Sequence, residues 1–406
     1  MSASATSLPH SGKRRSLRCH TCATPCSETR ETVFFDLRPT ADNVMMALKR
    51  RLVRVALAGS SVVRGVTAAP VLAGRRRAAH QAAAIHRHLL RTLPVTQGQL
   101  DERGHCSARQ HAREPDEAGA RGPHGEEGRQ GLGVRCAPAL RLLSAAVVGP
   151  RPLDMAQEVV AVTQARVAGI PACCSDGFTC ALAARLAAFH VVTTCARTGK
   201  RGRPRQPRCA PHPEALIMVS ATPALSVRGQ SPSTPEGRGI RGLRCHAECP
   251  KVADTVIEAH PDLVYGQVVQ PQHQGKLLTR STRVVLGAER RTHWGVTIST
   301  AWVERVTLTW RQALAPWARQ TSSGGTDRER MRQRVVVFQA FDTVARPHMR
   351  VRQPLPRHER TRRGALGPRW QARTPAMAAG LPDPVGTFRA LLTATFAPLD
   401  SQSISG

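Results

Sequence analysis

The chain has few aromatic residues. Phenylalanine, tryptophan and tyrosine make up 3% of its 406 residues, and Tyr265 is the single tyrosine. Leucine, isoleucine, valine and phenylalanine together supply about a fifth of the chain, close to the level below which highly charged chains tend to be disordered. Because large rings contribute much of the apolar area that a core buries, this scarcity predicts little packed core.

Long apolar segments and recognisable catalytic motifs are also missing from the sequence. No apolar run approaches the roughly 18 residues that a membrane-spanning helix needs, so we expect no membrane partner. A phosphate-binding loop, an H-E-x-x-H motif and a G-x-S-x-G motif are absent. The sequence GRGIRG at 237–242 matches G-x-G-x-x-G, but it follows the loop-like SPSTPE instead of a strand. We therefore predict no enzyme, no catalytic residue and no cofactor.

The twelve cysteines do not form a metal-binding pattern. Cys19, Cys22 and Cys26 lie close together, and Cys245 and Cys249 form a second group far along the chain. A zinc site needs four ligands, usually two close pairs joined by a modest loop. We therefore predict no metal site. A small zinc-stabilised interaction module at Cys19–Cys26 is kept as a third hypothesis.

Basic residues are abundant, and almost all of them are arginine. Lysine and arginine number 59 against 28 acidic residues, which gives a net charge of +31, and five of the 59 are lysine. Residue types with GC-rich codons dominate, whereas those with AT-rich codons are scarce. This bias is typical of GC-rich DNA translated from the wrong strand or in the wrong frame. The leading hypothesis is therefore a spurious or antisense translation product with no selected biochemical function.

The alternative hypothesis is an arginine-rich nucleic-acid-binding protein. A chain with this charge binds nucleic acids and other polyanions without sequence specificity, because its arginines neutralise phosphates and release counterions. One segment, TGKRGRPRQPR at 198–208, is more specific. Its core of Arg201, Gly202, Arg203 and Pro204 resembles an AT-hook, a short module that binds the minor groove of DNA.

The resemblance implies a role for each residue of the segment. Arg201 and Arg203 would enter a narrow A·T minor groove, where the negative potential is concentrated. Gly202 lacks a Cβ, so the backbone could lie on the floor of the groove. Flanking phosphates would be contacted by basic side chains of the same segment, namely Lys200, Arg205 and Arg208.

Changes in composition divide the chain into seven segments. These are a basic disordered arm (1–30), a strand with two helices (31–94), a disordered linker (95–135), helical segments (136–196), an Arg/Pro/Gly-rich linker (197–250), a small α+β domain (251–345) and a basic proline-rich tail (346–406). The fold class predicted is a mostly disordered, irregular chain with isolated short α-helices and a small β-hairpin or α+β segment near 251–345.

Several local patterns predict individual elements. Thr40 or Asp42 can cap a helix that continues to Leu57. A second helix over 75–93 would expose His80, His86 and His88. In the segment 251–345 we predict a helix at 252–259. Alternation of apolar and polar residues predicts strands there at 263–269, 282–286 and 334–338, and a hairpin from Trp294 to Trp310. Burial of Trp294, Trp302 and Trp310 together on well-packed strands would count against the leading hypothesis.

Overall fold

The computed structural model describes residues 2–7, 14–18, 21–52, 66–106, 129–149, 152–176, 179–194, 208–209, 255–270, 272–273, 276–277, 279–293, 295–314, 328–356, 369–381 and 386–394. The chain forms two compact units. Unit 1 contains Met1–Gly169 together with Thr300–Gly406, and unit 2 contains Ile170–Ser299.

The expectation of a mostly disordered chain with isolated helices is wrong. The described residues form an α+β arrangement in which helices pack on mixed β-sheet. Small residues explain why the composition was misleading. Gly133 lets helix and sheet approach closely, since a Cβ placed there would lie 2.8 Å from Cγ2 of Val159. Buried alanines such as Ala78 and Ala82 serve the same purpose between helices.

The described helices range from four to 22 residues. In chain order the helices are α1 (Ala41–Arg51), α2 (Ala68–Leu89), α3 (Pro152–Gln164), α4 (Thr179–Ala188), α5 (Ala288–His293), α6 (Ala301–Ala313), α7 (Arg328–Ala340), α8 (Pro375–Ala378) and α9 (Phe388–Thr393). A π-helical turn (Phe341–Ala345) continues α7, and a 3₁₀ turn (Met349–Val351) follows it.

The described strands range from two to ten residues. In chain order they are β1 (Ser2–Ser7), β2 (Arg14–Arg18), β3 (Pro25–Ser27), β4 (Gln97–Cys106), β5 (Arg129–Ala137), β6 (Leu142–Gly149), β7 (Ala172–Ser175), β8 (His190–Thr194), β9 (Arg208–Cys209), β10 (Thr255–Ala259), β11 (Tyr265–Val269), β12 (Gln272–His273), β13 (Lys276–Leu277), β14 (Ser281–Leu286), β15 (Gln353–Pro354) and β16 (Trp370–Gln371).

Unit 1 is built around the antiparallel strands β4, β5 and β6, with β5 in the centre. Helix α3 packs on β5 and β6 through Met155 and Val159, which lie against glycines of β5. Helix α7 also packs on β6, and α2 packs on α7. The main core of the unit forms there, with Trp310, Phe338 and Ile85 among its largest fully buried side chains.

Two regions of unit 1 that were predicted to be disordered contain strands. In the arm at 1–30, β1, β2 and β3 form a small antiparallel sheet. In the linker at 95–135, β4 pairs with β5 from Gln99↔Cys136 to Cys106↔Arg129. Both predictions were wrong. Local composition shows that these segments have low hydrophobicity, but it does not show that a partner strand satisfies their backbone hydrogen bonds.

Helix α1 confirms its sequence signal. The hydroxyl oxygen of Thr40 accepts a hydrogen bond from the backbone N–H of Asn43 at 3.3 Å, so it caps the free N–H groups of the first turn. Val44 and Leu48 of this helix are buried. The expected extension from 53 to Leu57 lies outside the described residues.

The predicted Trp294–Trp310 hairpin is wrong, because residues 301–313 form helix α6. The alternation of Val306, Leu308 and Trp310 suggested a strand, but Leu308 is 49% exposed. The buried positions are Val303, Val306, Thr307 and Trp310, which are spaced as one face of a helix. Trp294 lies outside the described residues.

The strand predicted at 334–338 and the helix predicted at 252–259 are also wrong. Residues 334–338 belong to helix α7, in which Met331, Val335 and Phe338 are buried at helical spacing. The segment 252–259 contains strand β10, which pairs antiparallel with β8 and parallel with β9. Short runs of apolar residues suit either structure, and packing partners decide between them.

Unit 2 contains a mixed arrangement of strands. Strand β11 pairs parallel with β7 and antiparallel with β14, which confirms the strands predicted at 263–269 and 282–286. Gly266 of β11 has no Cβ, and Ile298 occupies that space, since a Cβ would lie 2.7 Å from its Cγ1. The parallel pair is buried, as expected for strands covered on both faces.

Among the helices in the described ranges, none combines the length and apolarity that crossing a bilayer requires.

Candidate nucleic-acid interface

Trp302 of unit 1 lies among basic side chains from several elements. The guanidinium carbon of Arg141 lies 3.9 Å from the centre of the indole ring, which is cation–π geometry. The ring of His348 meets the same indole edge-on, with 6.4 Å between ring centres and 67° between planes. Arg305 follows one turn later on α6, and Arg350 lies in the 3₁₀ turn after His348. We call Arg141, Trp302, Arg305, His348 and Arg350 the Trp302 cluster.

Two side-chain contacts place Trp302 at the start of α6. The side-chain oxygen of Gln99 accepts hydrogen bonds from the backbone N–H groups of Trp302 at 3.1 Å and Val303 at 3.0 Å. These N–H groups have no partner inside the helix, so a buried amide from β4 satisfies them. The hydroxyl of Thr300 donates to Glu304 at 2.6 Å, which closes the same turn. The first turn of α6 is therefore fixed to the sheet of unit 1.

Arg141 reaches the cluster from the turn between β5 and β6. Its backbone has φ of 58°, in the left-handed region that side chains other than glycine rarely adopt. The hydrogen bond from its N–H to the carbonyl of Pro138 closes the turn at 3.4 Å. The chain thus holds this arginine in a costly conformation while its guanidinium lies on the indole of Trp302.

Like charges repel one another within the Trp302 cluster. Burial lowers the pKa of Arg141 first of all, and the positive charges of Arg350 and Arg305 lower it further. Arg305 and Arg350 are themselves exposed. An anion bound between these guanidinium groups would relieve the repulsion, and phosphate is the anion that arginine recognises best.

The neighbouring carboxylates already have partners of their own. An oxygen of the buried Asp342 lies 3.1 Å from Nη1 of Arg346 and 3.4 Å from Nε2 of His348. Glu304 accepts the hydroxyl of Thr300. The hydroxyl leaves Glu304 with its negative charge, but the three positive charges of Arg141, Arg305 and Arg350 exceed it, so the cluster keeps a net positive charge.

A second tryptophan lies further along the same segment of chain. Trp370 on β16 is 44% exposed, and the guanidinium carbon of Arg352 lies 4.2 Å from its ring centre. The β15–β16 ribbon holds it, with Pro354 paired to Trp370. Four residue steps separate His348 from Arg352, so their Cα atoms lie at most about 15 Å apart. We call the surface formed by the Trp302 cluster, Arg352 and Trp370 the Trp–Arg surface.

The residues that the sequence singled out are not placed on this surface. Lys200, Arg201, Gly202, Arg203, Pro204 and Arg205 lie outside the described residues. The backbone of Arg208 belongs to strand β9, where it pairs with Val256 of β10 in unit 2. The AT-hook remains a prediction from sequence.

The sequence offered little signal for the Trp–Arg surface. Its residues come from a turn, a helix and a ribbon that are distant in sequence, and the alternation of apolar residues predicts a strand where α6 lies. The run His348–Arg352, HMRVR, was the one local indication, since two arginines alternate there beside an aromatic ring.

The second helix also differs from its prediction in its histidines. His80 and His88 are exposed as expected, but His86 is buried. Burial lowers the pKa of His86 well below its ordinary value, and the nearby charge of Arg166 lowers it further. His86 is therefore a neutral residue of the core.

Unit 2 contains a buried polar network with a different character. The Tyr265 hydroxyl lies 2.5 Å from the Ser175 hydroxyl and accepts a hydrogen bond from the Gln267 amide at 3.3 Å. Arg283 donates two hydrogen bonds to the Gln267 side-chain oxygen, at 3.1 and 2.9 Å. Burial raises the pKa of Tyr265 above its ordinary value, so the phenol stays protonated. The network joins β7, β11 and β14.

Metal ligands do not gather in the described part of the chain, where no group of three or more His, Cys, Asp and Glu side chains could hold an ion. Of the cysteines behind the zinc hypothesis, Cys22 is exposed with a free thiol, Cys19 lies outside the described residues, and the side chain of Cys26 is not described.

Comparison of the chain with protein-family models, with curated proteins and with solved structures gives no match.

Proposed function

We propose that this chain is an arginine-rich protein that binds nucleic acids. The observation that carries the proposal is the Trp302 cluster, in which the guanidinium carbon of Arg141 lies 3.9 Å from the centre of the Trp302 ring and the exposed Arg305 and Arg350 add positive charge. Burial lowers the pKa of Arg141, and the charges of Arg350 and Arg305 lower it further. Phosphate groups would neutralise these guanidinium groups and release counterions from the nucleic acid. The net charge of +31 gives the whole chain a long-range attraction for polyanions. Catalysis is no part of the proposal.

The AT-hook-like segment would add a preference for one kind of duplex. Arg201 and Arg203 would insert into an A·T minor groove, with Gly202 on its floor. The Trp302 cluster would contribute phosphate contacts without sequence preference. The Trp302 cluster would thus supply affinity, and the AT-hook-like segment would supply the A·T preference.

The proposal predicts salt-sensitive binding that depends on two arginines in different ways. Labelled A·T-rich and G·C-rich duplexes are titrated with the full chain at several salt concentrations, and fluorescence anisotropy gives the dissociation constants. Arg203→Ala should abolish the A·T preference. Arg350→Ala should weaken binding to both duplexes and reduce the magnitude of the salt slope by about 1, as expected for one lost phosphate contact.

Arg38→Ala is the matched control, because Arg38 is exposed in unit 1 and lies outside both sites. It should change neither the A·T preference nor the salt slope. Salt-independent binding would contradict the proposal as a whole. An A·T preference that survives Arg203→Ala would remove the hook and leave the cluster.

A second candidate is a translation product of GC-rich DNA with no selected function. Its compositional support is the 59 basic residues of which five are lysine. A structural observation also favours it: buried atoms such as Nε2 of His86, Nε of Arg185 and Oγ1 of Thr343 have no hydrogen-bond partner among the described residues. Selection usually removes such groups, because each unsatisfied buried polar atom costs about 1–3 kcal/mol.

Ribosome profiling separates the two candidates at the level of expression. Footprints with three-nucleotide periodicity in this reading frame are expected if the chain is a nucleic-acid-binding protein. Footprints confined to the opposite strand or to another frame would support the second candidate and leave no function to explain.

A further inference from the structure

We infer that the Trp–Arg surface binds single-stranded nucleic acid, with an unpaired base stacked on Trp370 and the adjoining phosphates held by Arg305 and Arg350. This inference rests on the proposed function and specifies which form of nucleic acid the folded part of unit 1 accepts.

Trp370 has the properties of a stacking platform. It is a large ring that is 44% exposed, on a short ribbon tied to neighbouring chain. The backbone N–H of Leu355 donates to the carbonyl of Arg369 at 3.0 Å, and that of His348 donates to the carbonyl of Arg373 at 2.9 Å. The ribbon is thereby held on both sides of Trp370, so the ring needs little ordering when a base binds.

Arg352 strengthens the platform. Its guanidinium lies over one face of the Trp370 ring, so a base could stack on the outer side of the guanidinium or on the other face of the indole. Stacking tolerates any base, because every base has a π-face. The platform therefore implies binding without strong sequence preference, in contrast to the minor-groove preference of the hook.

Phosphate contacts lie within reach of the platform. The exposed Arg350 is two residues from Arg352 in the chain, and it is close enough to Arg141 to lower the pKa of that arginine. Arg305 adds a further exposed guanidinium beside Trp302. Single-strand binding proteins combine these two features, a basic track for the backbone and aromatic rings for the bases.

A duplex would not use this arrangement. Its bases are stacked on each other inside the helix, so the face of a tryptophan on the protein surface cannot reach them unless a base is unpaired. Duplex binding here would rely on the arginines alone and would not depend on Trp370. The ring thus provides the experimental distinction between the two forms.

The test compares a labelled oligothymidine with a duplex of the same length, using the full chain at fixed salt. Trp370→Ala should weaken binding of the single strand about fivefold or more, because loss of one base–aromatic stack has about that effect. Binding of the duplex should be unchanged. Trp370→Phe should retain most of the single-strand affinity, since it keeps a ring. Arg350→Ala should weaken both ligands.

Phe35→Ala is the matched control, since Phe35 is another exposed ring of unit 1, 42% exposed, in the turn before α1. It should leave both affinities unchanged. Equal loss for single strand and duplex on Trp370→Ala, or the same loss on Phe35→Ala, would overturn the inference. Far-ultraviolet circular dichroism checks that each variant is folded.

The inference and the proposed function fail in different ways. If neither ligand binds in a salt-dependent manner, the proposed function fails. If the duplex binds and Arg203→Ala removes its A·T preference while Trp370→Ala has no effect on either ligand, the inference alone fails. Trp370→Ala and Arg203→Ala should each affect one ligand and spare the other.

Discussion

Trp310→Ala is expected to destabilise unit 1 by about 3–5 kcal/mol, the usual cost of removing a large buried ring. Trp310 is 1% exposed and meets Phe338 edge-to-face, with 5.0 Å between ring centres, so it joins α6 to α7. A domain has a total stability of about 5–15 kcal/mol, so the loss could unfold the unit altogether. Urea denaturation followed by far-ultraviolet circular dichroism measures the effect.

Trp370→Ala is the control for this experiment, because it removes the same side chain from an exposed position. Its stability should change by no more than about 0.5 kcal/mol, as for most surface substitutions. Equal destabilisation by the two variants would mean that Trp310 is not packed against α7. That outcome would restore the earlier expectation of a chain with little core.

Acidification below about pH 6.5 is expected to destabilise unit 1 through His86. Because the pKa of His86 is lowered in the folded state, the unfolded chain takes up a proton that the folded chain does not. The stability is complete above the ordinary pKa and falls as the pH decreases towards the folded pKa. The loss at about pH 5.5 is on the order of 1 kcal/mol, because the unfolded chain binds one more proton there than the folded chain does.

Urea midpoints at about pH 7.5 and pH 5.5 measure this dependence. His86→Leu should flatten it, since leucine fills a buried site without titrating. His80→Gln should leave the dependence unchanged, because His80 lies on the exposed face of the same helix. A pH dependence that persists in His86→Leu would assign it to other groups.

The sequence predicted elements correctly where a local signal decided the structure. Thr40 caps α1 as its position before an amphipathic run indicated. The apolar runs of β11 and β14 form strands. The residues of α6 fit both a two-residue and a helical spacing of apolar positions. The two-residue spacing predicts a strand, and that prediction is wrong. Thr307 is a polar residue on the buried face of the helix. Its hydroxyl donates a hydrogen bond to Asp101 at 3.1 Å, which allows this polar side chain to be buried.

Contacts between residues that are distant in sequence could not be predicted from local composition. Strand β4 carries Gln99, Asp101 and Glu102, which suggested a polar linker, yet Gln99 and Asp101 are buried. Their partners are the first turn of α6 and Thr307, which lie about two hundred residues away in sequence. A polar residue in a strand is tolerated when such a partner exists, and the sequence alone does not name the partner.

The candidate interface illustrates the same limit for function. The AT-hook-like segment was visible because all its residues are adjacent. The Trp–Arg surface brings Arg141 to Trp302 from another part of unit 1, so no spacing rule could have found it. An abundance of arginine predicted a polyanion partner in general, whereas the placement of tryptophans is what suggests unpaired bases.

The buried hydroxyl of Tyr265 has an optical consequence. Since the chain has one tyrosine, any phenolate signal in the near ultraviolet comes from this residue. Because burial raises the pKa of Tyr265, its phenol stays protonated in alkaline solution and gives no phenolate absorbance until unit 2 unfolds. Phenolate absorbance therefore reports the unfolding of unit 2 without a label or a substitution.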